Sequence, residues 1–108
     1  MLTNYKMSPE SQLNPYLVQK IMTASPDELV SIIYEAAIRA CAQENHTKAL
    51  ESVQQLINAL NFDEKEIAST FYKVYSGVLE HLYKRDYDTA REILTDLRKT
   101  WSQAMHIK

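Results

Sequence analysis

Glycine and proline are scarce in this chain of 108 residues, which holds one Gly and three Pro. Two of the prolines, Pro9 and Pro15, lie within the first fifteen residues, and beyond Pro26 the only strong helix breaker is Gly77. Because these residue types interrupt helices most effectively, their scarcity favours long helices joined by short turns. A single glycine also excludes a glycine-rich loop that could cradle phosphate groups.

Cysteine and an excess of basic charge are lacking as well. The lone Cys41 cannot form an internal disulfide, which indicates a reducing compartment, and we expect a cytoplasmic protein. The formal net charge of −2 argues against a nucleic-acid partner, since such a partner normally requires a basic patch. No apolar run approaches about 18 residues, so we expect no stable membrane insertion.

Side chains that could perform chemistry are few and scattered. None of the residues three positions before His46, His81 and His106 is Glu, so the Glu-x-x-His pairs of a di-metal helical bundle are missing. The chain also contains no His-x-x-x-His or Cys-x-x-Cys pair. We therefore expect no catalytic residue, no metal site and no cofactor, which leaves binding as the natural role.

The apolar residues, 45% of the chain, recur at helical spacing and predict four helices. The first helix begins at Ser25, which can cap it while Glu28 completes a capping box, and runs to about Gln43. The second and third are predicted at about 47–60 and 63–85, and the fourth begins near Asp86 or Asp88 and runs to about Met105. Turns of roughly two to five residues then predict an all-α fold, an antiparallel up-down four-helix bundle.

The third helix has a start signal of its own. Asp63 and Glu66 have the spacing of a second capping box. Phe62 and Ile67 flank this box at positions suited to a hydrophobic staple. Together these features predict that the third helix begins at Asp63.

Residues 1–24 are predicted to form an N-terminal arm that packs on the bundle of residues 25–108. Asn14-Pro15-Tyr16 can begin a short helix within this arm, because Asn caps well and Pro suits the first helical position. So short a helix is marginal in water. The arm therefore needs an apolar surface to lie against.

The first helix carries more apolar surface than a core-facing stripe requires. One stripe consists of Leu29, Ile32, Ile33, Ala36 and Ala40, and a second of Val30, Tyr34, Ala37, Ile38 and Cys41. Together they cover roughly 240° of the circumference, where about 100° is enough. Two interpretations remain open: the helix is more deeply buried than its neighbours, or the second stripe borders a groove for a partner peptide.

Several stretches in a fixed order carry a family resemblance: Asn14-Pro15-Tyr16 with Thr23-Ala24-Ser25-Pro26-Asp27-Glu28-Leu29, then Ile33-Tyr34-Glu35-Ala36-Ala37-Ile38-Arg39, Leu56-Ile57-Asn58-Ala59-Leu60-Asn61-Phe62-Asp63 and Leu97-Arg98-Lys99-Thr100-Trp101-Ser102-Gln103-Ala104. In this order, they resemble five features of the flagellar secretion chaperone FliS family. These are its N-terminal arm, the start of its first helix, its Leu-Tyr-Asp-Gly-Ala-Ile-Arg stretch, the end of its second helix and its Leu-Arg-x-x-Trp-x-x-Ala ending. The resemblance spans roughly residues 14–105. Ala36 and Glu35 stand where the family has Gly and Asp, and an early turn near Asn45 shortens the first two helices.

The resemblance implies a chaperone that binds the C-terminal segment of newly made flagellin, prevents its polymerisation in the cytoplasm and delivers it to the flagellar type III export gate. It also implies that the arm can occupy the groove that the client uses. The expected groove and arm residues are Tyr16, Ile21, Val30, Tyr34, Ile38, Ile57 and Trp101. The alternative is a non-catalytic helical adaptor or a self-associating bundle whose extra apolar face forms a homodimer seam, and the sequence leaves the oligomeric state open.

Overall fold

The computed structural model describes residues 25–105, and helices account for 84% of them. The four helices are α1 (Pro26–Ala42), α2 (His46–Asn58), α3 (Lys65–Tyr83) and α4 (Tyr87–Met105). No strand occurs between residues 25 and 105, so the predicted all-α class is confirmed. The predicted N-terminal arm and its short helix lie outside the described residues.

Each helix packs on the helix that precedes or follows it in the chain, and α4 also packs on α1. The α1–α2 contact is close because several of its buried side chains are small, among them Ala37, Ala40, Ala49 and Ser52. Larger apolar side chains, led by Leu56, Leu82 and Leu94, fill the centre of the assembly. α1 thus lies between two neighbours, which explains why so much of its surface is apolar.

Most of the predicted helix starts are confirmed in detail. Ser25 Oγ accepts a hydrogen bond from the Glu28 backbone N–H at 3.2 Å, and Glu28 Oε1 accepts one from the Ser25 N–H at 2.9 Å. This is the predicted capping box. α2 is capped by Asn45, whose Oδ1 accepts a bond from the Lys48 N–H at 3.2 Å.

The predicted start of the third helix is wrong. α3 begins at Lys65, and Glu64 at the cap position makes no side-chain capping bond. Instead, the backbone N–H of Asp63 donates to Asn61 Oδ1 at 3.1 Å, so the Asn61 side chain builds a local turn that competes with helix formation. With the start moved two residues onward, neither the capping box of Asp63 nor the hydrophobic staple of Phe62 can form.

In two turns, a residue other than glycine occupies a position where glycine is usual. After α1, the Asn45 N–H donates to the Ala40 carbonyl at 2.9 Å, the long-range bond of a Schellman turn, and the turn after α3 has the equivalent bond. Such a turn needs one residue in the left-handed region, which is usually Gly. Here that residue is Glu44 (φ 53°) in the first turn and Arg85 (φ 60°) in the second. Both turns therefore carry backbone strain.

A polar network joins these two turns. The Tyr87 hydroxyl lies 2.8 Å from His46 Nδ1 and accepts a hydrogen bond from Arg85 Nη1 at 3.2 Å. Because Arg85 donates to the Tyr87 oxygen, the Tyr87 hydroxyl hydrogen is free to point at His46. The network links the two turns at this end of the assembly. An open groove lies at the opposite end.

Replacing Glu44 by Gly should stabilise the protein by roughly 0.5–1 kcal/mol, because Gly adopts the left-handed conformation without the steric penalty of a Cβ atom. Glu44→Ala is the control, since it removes the same carboxylate and keeps the Cβ. Urea denaturation followed by circular dichroism measures the difference. Equal midpoints for the Gly and Ala variants would show that the turn is not strained.

Candidate binding groove

An open apolar groove lies where the start of α1, the end of α4 and the α2–α3 turn come together. Its volume is about 450 Å³, within the range of roughly 300–1,000 Å³ typical of ligand pockets. We call it the end groove; it is lined by Pro26, Asp27, Val30, Leu56, Ala59, Leu60, Asn61, Glu64, Ile67, Ala68, Phe71, Tyr75 and Trp101. Its lining is mainly apolar, and its two charged members are both carboxylates.

One wall of the end groove is fixed by contacts between α1 and α4. The indole Nε1–H of Trp101 donates to the backbone carbonyl of Asp27 at 3.0 Å. One turn earlier on α4, Arg98 Nη2 pairs with Glu35 Oε2 at 3.0 Å. These two contacts hold the end of α4 against the start of α1, so Trp101 and Val30 present a stable apolar surface.

The opposite wall comes from the first two turns of α3. Among residues 65–71 only Ala68 is buried, whereas Ile67 is 57% exposed and Phe71 is partly exposed. The Phe71 ring lies against Tyr75, with ring centroids 5.9 Å apart. This part of α3 therefore offers large apolar side chains to an occupant of the groove instead of burying them in the core.

Below the groove, two tyrosine hydroxyls meet in the interior. Tyr34 on α1 and Tyr75 on α3 lie with their hydroxyl oxygens 2.5 Å apart, and both side chains are almost fully buried. Burial and the hydrogen bond to Tyr75 raise the pKa of Tyr34 well above its ordinary value, and burial also raises the pKa of Tyr75. Both hydroxyls are therefore neutral near pH 7. Of the two, only Tyr75 lines the end groove.

Two of the expected groove residues, Val30 and Trp101, line the end groove. Tyr34 does not line it, because its side chain is completely buried beneath it. Tyr16 and Ile21 lie outside the described residues.

The other two expected residues lie elsewhere. Ile38 borders a shallow depression between α1 and α4, beside Arg91 and Thr95. Ile57 is partly buried against the core and is not part of the groove lining. The end groove is therefore built from fewer α1 residues than the sequence suggested.

The second stripe of α1, interpreted from sequence as a border for a partner, contains the most deeply buried residues of the helix. Tyr34, Ala37 and Cys41 are each at most 2% exposed, whereas Leu29 and Ile32 of the first stripe are partly exposed. A tyrosine in a groove normally keeps its hydroxyl in water, but the Tyr34 hydroxyl is buried because Tyr75 supplies a partner. Burial also raises the pKa of the Cys41 thiol, which suits a packing role.

Sequence reasoning missed the contribution of α3 to the groove. Ile67, Phe71 and Tyr75 recur at four-residue steps, a spacing that predicts a core stripe on the third helix. The same spacing describes a stripe that leaves the core, so periodicity alone could not distinguish the two. The later helix start at Lys65 was a second feature that the sequence did not reveal.

Within residues 25–105, no group of three or more His, Cys, Asp or Glu side chains is placed to hold a metal ion. None of the four described helices is both long enough and apolar enough to cross a membrane. The chain matches no protein-family model, and no curated protein or solved structure is significantly similar to it.

Conservative substitutions should reveal an asymmetry in the tyrosine pair. Tyr75→Phe leaves the Tyr34 hydroxyl buried without a partner, so we expect a loss of about 1–3 kcal/mol. Tyr34→Phe leaves the Tyr75 hydroxyl beside the open groove, so we expect about 0.5–1.5 kcal/mol. Denaturation of both single variants and of the double variant measures the coupling, and the double variant should lose less than the sum of the two. Strictly additive losses would contradict an interaction between the hydroxyls.

Stability should also fall in alkali because of this pair. An unfolded tyrosine ionises near its ordinary pKa of 10.0, while the raised pKa values keep Tyr34 and Tyr75 protonated in the folded state. Above about pH 10 the folded chain then binds more protons than the unfolded chain, so the free energy of unfolding decreases as pH rises. Denaturation midpoints between about pH 8 and 11.5 test this. The Tyr34→Phe/Tyr75→Phe variant should lose less stability over that interval, and an identical loss would disprove the role of the pair.

Proposed function

We propose that this protein is a non-catalytic, cytoplasmic chaperone that binds the C-terminal segment of flagellin, prevents its premature polymerisation and delivers it to the flagellar type III export apparatus. The observation that carries the proposal is the end groove, an open apolar surface with a fixed wall on α1 and α4. The sequence resemblance to flagellar secretion chaperones supplies the identity of the client. Binding of an amphipathic helix in an apolar groove is a common mode of peptide recognition.

We further infer that the four helices form an antiparallel up-down bundle. The contact between Trp101, near the end of α4, and Asp27, in the first turn of α1, supports opposite directions for these two helices. The short turns of residues 43–45 and 84–86 support the same relation within the pairs α1–α2 and α3–α4. In this arrangement the end groove lies at the end where α1 and α3 begin.

The size of the end groove limits how tightly it alone could hold a client. Burying a large apolar side chain contributes about 1.5–3 kcal/mol, so three anchors contribute roughly 5–9 kcal/mol. Ordering a disordered segment costs about 2–5 kcal/mol or more. The difference is at most about 7 kcal/mol, which corresponds to a Kd no tighter than roughly 10 μM. A tightly held client therefore needs further contacts, for which the partly exposed Leu29 and Ile32 on α1 offer apolar surface.

The N-terminal arm is the natural competitor for this site. The described chain begins at Ser25, immediately before Pro26 and Asp27, which line the end groove. The arm carries the apolar residues Leu17, Val18, Ile21 and Met22. In the proposed mechanism, the arm covers the groove until the client displaces it.

A self-associating adaptor is the second candidate function. It is favoured by the partly exposed stripe of Leu29, Ile32 and Ala36 on α1, which could form a seam with a second copy. Light scattering with and without a flagellin C-terminal peptide distinguishes the two functions. A dimer that persists at saturating peptide favours the adaptor, whereas a 1:1 complex favours the chaperone.

The chaperone proposal predicts that flagellin is captured in a pull-down and that flagellin lacking its C-terminal segment is not. Equal capture of both forms, or of neither, would refute it. Trp101 is the only Trp in the chain and lines the groove, so its fluorescence should change when a tryptophan-free flagellin C-terminal peptide binds. Titration of this signal gives the Kd.

A matched pair of variants on α3 tests whether the end groove is the binding site. Ile67→Asp places a charge on the groove wall and should weaken peptide binding about tenfold or more. Because Ile67 is 57% exposed, the variant should fold normally. Tyr72→Asp is the control, since Tyr72 lies on the same helix, is 47% exposed and is not part of the groove lining. Equal affinities for the two variants would place binding outside the groove.

A further inference from the structure

We propose that the Tyr75 hydroxyl is a specificity-determining hydrogen-bond donor, and that the occupant of the end groove brings an acceptor oxygen to it. The inference rests on the proposed binding function of this groove. It adds the hydrogen bond by which the groove would discriminate among apolar segments. It begins from the two tyrosines whose hydroxyls meet beneath the groove.

The tyrosine pair has one hydroxyl hydrogen more than its mutual hydrogen bond uses. Two neutral hydroxyls carry two hydrogens, and the bond between Tyr34 and Tyr75 employs one of them. No further partner of either hydroxyl is found among residues 25–105. A buried donor without a partner is unfavourable, so the second hydrogen takes an acceptor from outside this part of the chain, either water in the open groove or the occupant that displaces it.

The surroundings determine which tyrosine keeps the second hydrogen. Tyr34 is completely buried and does not reach the groove, whereas Tyr75 is 3% exposed and lines it. If Tyr75 donated to Tyr34, the unused hydrogen would be enclosed in the core. The favoured arrangement is therefore that Tyr34 donates to Tyr75 and Tyr75 directs its own hydrogen to the groove.

This arrangement specifies the chemistry of the occupant. A purely apolar segment would cover Tyr75 and leave its hydrogen unpaired, while a segment with one Gln, Asn, Ser or Thr oxygen in its apolar face would satisfy it. The charges that line the groove, Asp27 and Glu64, are both negative, and neither forms an ion pair with a described residue. They complement a cationic side chain at the edge of the occupant. The selected segment is thus an apolar helix with one central acceptor and a Lys or Arg at its edge.

Two small probes isolate the hydroxyl from the rest of a client. 4-Fluoroacetophenone carries a carbonyl oxygen, and 4-fluoro-α-methylstyrene has the same shape with a CH₂ group in its place. Their dissociation constants for the full chain can be measured by ¹⁹F NMR, and backbone amide shifts of groove residues identify the site. The quantity of interest is the ratio of the styrene Kd to the acetophenone Kd.

Tyr75→Phe should lower this ratio about three- to tenfold, the effect expected for loss of one hydrogen bond. Tyr34→Phe should leave it unchanged, because Tyr75 still donates to the groove. The double Phe variant removes both hydroxyls, so it avoids an orphaned buried donor and should behave as Tyr75→Phe does. It thus serves as the test if Tyr75→Phe folds poorly. An unchanged ratio in the variants that lack the Tyr75 hydroxyl, an equal drop in Tyr34→Phe, or failure of acetophenone to shift groove residues would overturn the proposal.

The experiment separates this proposal from the chaperone function. If the probes discriminate as expected and the flagellin segment does not bind, the donor stands and flagellin is the wrong client. If the segment binds but loss of the Tyr75 hydroxyl leaves the Kd ratio of the probes unchanged, the chaperone function stands and the donor role fails. The same three variants, titrated with the flagellin peptide, then show whether the client itself uses the hydroxyl.

Discussion

The hydrogen bond between the hydroxyls of Tyr34 and Tyr75 is the constraint on which the rest of the structure depends. It joins α1 and α3, two helices that are not neighbours in the packing order, so it crosses the interior. The two hydroxyls stabilise one another because Tyr34 is completely buried and Tyr75 is almost so. Their rings also occupy space that smaller side chains would leave empty. The pair thereby links α1 to α3, and Tyr75 also lines the end groove.

The two ends of the assembly differ in structure: one is joined by hydrogen bonds, and the other contains the end groove. At one end, Tyr87, His46 and Arg85 join the two turns through hydrogen bonds. At the other end, Asn61 accepts a hydrogen bond within the turn before α3, Ile67 is exposed, and Phe71 packs against the edge of the core. The groove lies where the apolar stripe of α3 continues past the core.

Much of the fold could be predicted from sequence because its signals are local. The Ser25 capping box, the early turn near Asn45 and the period of the apolar residues each depend on a few neighbouring residues. One error arose where a distant partner decides the outcome. Tyr34 was expected at a groove edge because a hydroxyl normally stays wet, and only the fold brings Tyr75, 41 positions later, into contact with it. The groove wall on α3 was missed for a different reason, since periodicity cannot tell a core stripe from an exposed one.

An apolar groove of this size binds many segments weakly, so selectivity must come from polar groups within it. One buried donor among apolar side chains discriminates strongly, because an occupant that lacks the acceptor loses a hydrogen bond and also leaves a donor unpaired. The Tyr34–Tyr75 pair serves both structure and recognition in this view. One hydrogen of the pair is used in the bond between the two hydroxyls, and in the proposed arrangement the other, on Tyr75, faces whatever enters the groove. The interaction that links α1 to α3 would therefore also set the chemistry of the partner.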